Sequence, residues 1–113
     1  MIINGVDLDF RMYDEDKADI RERYFEELKK MRNVSKEAPD GTAKELNKYL
    51  CDRIKGFFDR VFGEGTGTAV CGEGNDLLKH LRAYDGIVIE QISQQEEYKM
   101  VMDHLKSVKG INE

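Results

Sequence analysis

Between Ile87 and Lys109 the chain contains neither proline nor glycine, so nothing in the backbone interrupts a helix there. Upstream, Leu77, Leu81, Tyr84 and Val88 step by four, three and four, and the rhythm continues through Gln91, Gln95, Tyr98, Met102 and Leu105. Asn75 or Asp76 is a competent N-cap for the whole segment. A single helix over 76–107 would be about 48 Å long, whereas a compact domain of this size has a radius of gyration of about 13 Å. Such a helix overshoots its own core. Its far half, with Tyr98, Met102 and Leu105 in line, then calls for a partner, in the first instance a second copy. The alternative is a break at Ser93-Gln94-Gln95-Glu96, itself a capping-box pattern that would start a fourth helix folding back. The unbroken helix is the stronger reading, and Gly86 weakens both.

The preceding segments read as two helices and a ribbon. In residues 1–10, Ile3, Val6, Leu8 and Phe10 are apolar while Asp7 and Asp9 point the other way, and Asn4-Gly5 is a two-residue turn signal; a short β-hairpin is expected. Two strands alone are marginal in water, so the ribbon must lie on the helices or pair with another edge. A first helix is expected over 14–34. Asp14, Glu15 and Asp16 suit the positive end of its dipole, and Ile20, Tyr24, Leu28 and Met31, widened by Phe25, form one face. The opposite face, with Arg21, Glu22, Glu26, Glu27, Lys29 and Lys30, reads as solvated. Pro39-Asp40-Gly41 forces a turn, and Thr42-Ala43-Lys44-Glu45 is a capping box that opens a second helix over 43–62. Leu46, Leu50, Ile54, Phe57 and Val61, broadened by Tyr49, Phe58 and Phe62, make this the centre of the core. Gly63 stops it in the left-handed C-terminal position. Thr66 to Cys71 reads as one helical turn that docks Val70 and Cys71. The expected class is mainly α: a three-helix bundle, four if the last helix breaks, with a short N-terminal β-hairpin, in a single domain 1–113.

A chain of 113 residues can build one core without staples. Charged residues reach 36%, but the apolar residues are clustered and periodic, which argues against disorder. A net charge of -5 is repelled by phosphate backbones and anionic headgroups, so neither nucleic acid nor membrane is an expected partner. The segment Met1-Ile2-Ile3-Asn4-Gly5 lacks the pattern of a signal peptide, and a cytoplasmic location is expected. Cys51 and Cys71 read as reduced thiols in or near the core.

Candidate chemistry is sparse. Gly63 to Gly74 holds five of the ten glycines. However, no lysine or arginine lies between Arg60 and Lys79, no strand precedes the stretch, and Glu64 and Glu73 would oppose a phosphate. A structural connection is the better reading. Cys51, Cys71, His80 and His104 lack paired-ligand spacing, so no metal site is expected; the histidines read as surface or boundary residues. Cys71 sits at the edge of a helical turn, where a thiol can be activated, but no base supports it. Asp52, Asp59 and Glu64 do not indicate an acid pair. Tyr49, Phe57, Phe58 and Phe62 lack the basic surroundings of a base-stacking platform. No catalytic residue, metal or cofactor is expected, and the protein reads as non-enzymatic.

The block Phe57-Phe58-Asp59-Arg60-Val61-Phe62-Gly63-Glu64-Gly65-Thr66 resembles a family of small, functionally unassigned phage and prophage proteins of Firmicutes. Their members open with an Ile-Asn-Gly ribbon, as Ile3-Asn4-Gly5 does here, and continue with a charged helix. They then carry a helix ending in Phe-Phe-Asp-x-Val-Phe-Gly-Glu-Gly-Thr, and an Asn or Asp starts their final helix. The chain departs from the pattern at Gly67 and at Val70-Cys71-Gly72, where a bulkier apolar pair is expected, and it lacks a basic tail. The resemblance implies a place among phage structural genes, similarity to tail-assembly chaperones, and no activity, cofactor or catalytic residue. The expected function is assembly or interaction, with a phage structural protein as partner, self-association, and Tyr98, Met102 and Leu105 as the contact residues. The alternatives are a self-associating minor component of the virion and a small ligand-binding regulator using the Gly63–Gly74 loop. In the shared motif, Phe57, Phe58, Val61 and Phe62 fill the core, and Gly63 and Gly65 supply backbone freedom.

Overall fold

Asn4 and Gly5 both take positive φ, 47° and 84°, the backbone that a tight hairpin turn requires. They join β1 (Ile2–Ile3) to β2 (Val6–Asp7) in an antiparallel pair with Ile3 opposite Val6. The Leu8 N–H still donates to the Met1 carbonyl at 2.8 Å, and pairing ends there, short of the ten-residue ribbon. Residues 8–13 instead form a strap that ends in a turn at Met12–Tyr13, with Leu8, Phe10 and Met12 buried while Asp9, Arg11 and Tyr13 face solvent. This computed structural model describes residues 1–111, so the end of the 1–113 domain and the matter of a basic tail lie outside the described residues.

The fold is mainly α, with four helices: α1 (Ala18–Met31), α2 (Ala43–Phe62), α3 (Thr66–Cys71) and α4 (Leu77–Ile111). The segment expected as one helix over 14–34 is more varied. Asp14 caps a 3-10 turn at Glu15–Lys17 by accepting from the Asp16 N–H, and beyond Met31 only i→i+3 bonds continue to Val34. Helix ends tighten in this way when their last carbonyls lack partners.

Helix α2 is central and packs on α1, α3 and α4. Thr42 caps it through the Glu45 N–H. Phe57, Phe58 and Val61 are wholly buried; burying each phenylalanine contributes about 1.5–3 kcal/mol. Phe57 meets Tyr24, Phe58 and Tyr84 edge-on with centroids 5.3–5.8 Å apart, the geometry favoured by aromatic quadrupoles. Leu46, expected in this stripe, is largely exposed, because the first turn of α2 lies at the margin of the core. Gly63 ends the helix at φ 120°, ψ 155°: positive φ, but outside the left-handed helical region expected for it.

Helix α4 is unbroken through Ser93–Glu96. Asp76 starts it by accepting from the Lys79 N–H at 3.2 Å. Its buried line runs through His80, Ala83 and Ile87, one position out of phase with the expected Leu77, Leu81, Tyr84, Val88 stripe; Leu81 is 44% exposed. His80 is therefore interior, contrary to the surface assignment. Its Nδ1 lies 2.6 Å from the Asp76 carbonyl, and its Nε2 has no partner. Glu27, expected in solvent, is also buried; Arg60 and Lys30 both pair with it. The 35 residues of α4 extend about 52 Å and stretch the molecule to 65 × 27 × 22 Å with a radius of gyration of 17.4 Å.

Candidate functional site on the distal half of the last helix

Where apolar contact along α4 lapses, two glutamines take over. Gln94 donates from Nε2 to the Phe10 carbonyl and accepts at Oε1 from the Met12 N–H, both at 2.8 Å. Its amide thus stands in for a neighbouring strand and holds the strap on the helix. Gln91 accepts from the Tyr24 hydroxyl at 2.5 Å and donates to Gln95. Burial raises the Tyr24 phenol, so it remains a donor. One turn further on, Tyr13 of the strap stacks on Tyr98, with centroids 4.1 Å apart and planes 4° from parallel.

Past that stack α4 continues without support. The 13 residues from Lys99 to Ile111 add about 20 Å. Val101 and Leu105 are 53% and 59% exposed, and Met102 is half-buried. Strap and helix enclose an open groove of about 540 Å³, floored by Tyr13, Tyr98, Val101 and Met102 and rimmed by Asp14, Glu90 and Glu97. Arg11, the one basic residue among the described residues that line the groove, is tied to Asp9 and Asp14. Glu90 and Glu97 have no ion-pair partner among the described residues. No histidine or cysteine lines the groove, and its acidic rim and apolar floor suit the binding of an amphipathic segment.

Of the residues singled out in the sequence, Tyr98 and Met102 line this groove while Leu105 lies beyond it. Phe57, Phe58 and Val61 are fully buried and Phe62 half-buried. Gly63 and Gly65, at φ 120° and 92°, lead into α3. Val101 and the strap were missed: Tyr13 arrives from the other end of the chain, and no local pattern announces it. A second missed surface lies on the outer side of α4, where Leu78, Leu81, Ile89, Ile92 and Met100 are all exposed. A helix apolar on two sides ordinarily has both covered.

The glycine stretch is held by specific contacts, although Gly63, Gly65 and Gly74 are exposed. Gly65, the N-cap of α3, has no side chain to offer, and Asp59 of α2 substitutes by accepting from the Gly67 N–H at 2.7 Å. Lys55 Nζ donates to the Glu73 and Gly74 carbonyls. Gly67 lies directly on the α2 backbone: a Cβ there would sit 2.3 Å from the Lys55 carbonyl oxygen. Glycine at position 67 is therefore a packing requirement. Cys51 and Cys71 are free and buried. Burial raises both thiols, that of Cys71 to about 11, the opposite of an activated nucleophile. Among the described residues, no three His, Cys, Asp or Glu side chains are grouped to share a metal ion, and no helix is long and apolar enough to cross a membrane.

Fold and groove together define a small helical bundle whose last helix projects beyond its body and carries uncovered apolar side chains. The Family of unknown function (DUF6673) has a family model that matches residues 4–109, and the chain belongs to that family. No curated protein and no solved structure matches it.

Proposed function

We propose that the protein is a non-enzymatic assembly or interaction factor of phage or prophage origin, cytoplasmic in its bacterial host and akin to tail-assembly chaperones. It covers apolar surface on a phage structural protein. The observation that carries this reading is the projecting half of α4, where Val101, Met102 and Leu105 continue the buried line of the helix, with Val101 and Leu105 more than half exposed. The acidic rim at Glu90 and Glu97 favours a partner segment with basic residues beside its apolar ones. The phage setting rests on the resemblance of the Phe57–Thr66 block and the Ile3-Asn4-Gly5 opening.

Affinity purification of the tagged chain from a prophage-expressing host is the test. The expected outcome is one enriched phage structural protein, lost with Val101→Asp or Leu105→Asp while the fold is kept. A chain recovered without any structural protein counts against the reading. A minor virion component, the second reading, is favoured by the exposed outer side of α4 and would place the chain in purified particles. The ligand-binding alternative draws little support from a loop whose helix N-terminus is already occupied by the Asp59 carboxylate.

A further inference from the structure

The outer side of α4 is a separate surface, opposite the strap and the groove, and its chemistry is ordered about Ile89. At about 100° per residue, Leu78, Arg82, Ile89, Glu96 and Met100 fall within about 20° of one line along the helix. All five are exposed, Ile89 at 57%. Measured from Ile89 in either direction, the line reads the same in kind: a charge at the seventh residue and a large apolar side chain at the eleventh. The two charges have opposite sign.

A line of this kind is complementary to itself when reversed. We propose that two copies of the chain pair through the outer faces of their α4 helices, antiparallel, on a two-fold axis passing at Ile89. In that register Ile89 meets Ile89 of the second copy. Arg82 faces Glu96 of the second copy, and Leu78 faces Met100; each contact occurs twice, as an isologous interface requires. A parallel pairing would instead oppose like charges, Arg82 to Arg82 and Glu96 to Glu96, so the charges choose the orientation. Ile92 and Leu81 flank the line and widen the apolar contact. The bodies lie on the far sides of the paired helices, and the groove at Tyr13 and Tyr98 stays open. The proposal is thus independent of the partner suggested above.

Sedimentation equilibrium on the full chain, with charge-reversal variants, tests this directly. The native chain is expected to dimerise. Ile89→Asp, at an exposed position, should weaken the dimer at least about a hundredfold with unchanged circular dichroism. Arg82→Glu and Glu96→Arg should each weaken it about tenfold, and the double reversal should return it to within about threefold of the native value. Ile89→Cys should give a disulfide-linked dimer on oxidation. Leu105→Asp should leave the dimer intact while abolishing capture of the structural protein, which separates the two surfaces. A native chain that sediments as a monomer overturns the proposal, as does a dimer indifferent to Ile89→Asp or a double reversal no better than the singles.

Discussion

Asp59 accepts a hydrogen bond from the Gly67 N–H at 2.7 Å, so a carboxylate of α2 caps the first turn of α3. The bond gives the Phe57–Thr66 block a physical reading. The phenylalanines build the core, the aspartate anchors the next helix, and the glycines let the chain turn back between them. Because a Cβ at residue 67 would collide with the Lys55 carbonyl oxygen at 2.3 Å, Gly67→Ala is predicted to cost about 3 kcal/mol. Asp59→Ala should cost about 1 kcal/mol, the usual loss for a removed cap. Urea unfolding measures both; a silent Gly67→Ala would refute the close packing.

One side chain ties the strap's backbone to α4. Gln94→Ala removes both bonds to Phe10 and Met12 and leaves a part-buried N–H and carbonyl without partners, a loss of about 2 kcal/mol. The Met12 amide should then exchange with solvent far faster than in the native chain, as hydrogen-exchange mass spectrometry of the N-terminal peptide would read. Unchanged protection would mean that the strap is held by its buried side chains, the Tyr13–Tyr98 stack and the Arg21 bond to the Met12 carbonyl.

His80→Leu should be neutral or stabilising by about 1 kcal/mol. The imidazole is fully buried with Nε2 unpartnered, and the Asp76 carbonyl it contacts also accepts the His80 backbone N–H. A large loss in thermal midpoint would show that the ring does something that its contacts do not reveal.

Stability should fall above pH 9. Burial raises the Cys51, Cys71, Tyr24 and Tyr84 ionisations, Cys71 from 9.0 to about 11. A group with a raised folded-state pKa keeps its proton longer folded than unfolded. Its contribution is complete below the unfolded value and is lost as pH climbs through the folded one. Urea midpoints should therefore be flat near neutrality and decline between pH 9.0 and about 11. Iodoacetamide should label Cys51 and Cys71 slowly in the folded protein and readily in urea; fast labelling at neutral pH would contradict their burial.

Acid acts through Glu27. Burial alone would raise this carboxyl, but hydrogen bonds from Arg60 and Lys30 outweigh it and hold the group below its ordinary 4.5. Its contribution is present above that value and is lost as pH falls through the lowered one. Glu27→Gln is predicted to blunt acid unfolding. An unaltered acid limb would assign the transition to other carboxylates.

The elements were legible where their signals are local. The capping box at Thr42 and the stop at Gly63 bound α2, and Asn4-Gly5 makes the hairpin turn, because each works through its own neighbours. The phase of α4 was misread by one residue for a physical reason: with Leu78, Leu81, Ile89 and Ile92 apolar on one side and Ala83 and Ile87 on the other, spacing alone cannot say which side is covered. Glu27 looked solvated because Arg60, which pairs with it, lies 33 positions away. Tyr98, Met102 and Leu105 could be placed on one face of the far helix. The groove could not, since its other wall comes from residues 11–14.

Asn4 donates from one side-chain nitrogen to the carbonyls of Val70 and Lys79, 66 and 75 positions along the chain. The tip of the hairpin is thus a rivet through α3 and the start of α4. During synthesis the hairpin has nothing to fasten to until those helices emerge, and the strap must wait longer still for Gln94. The groove can take shape only once Tyr98 to Met102 have followed, so a product stalled before them would never display it.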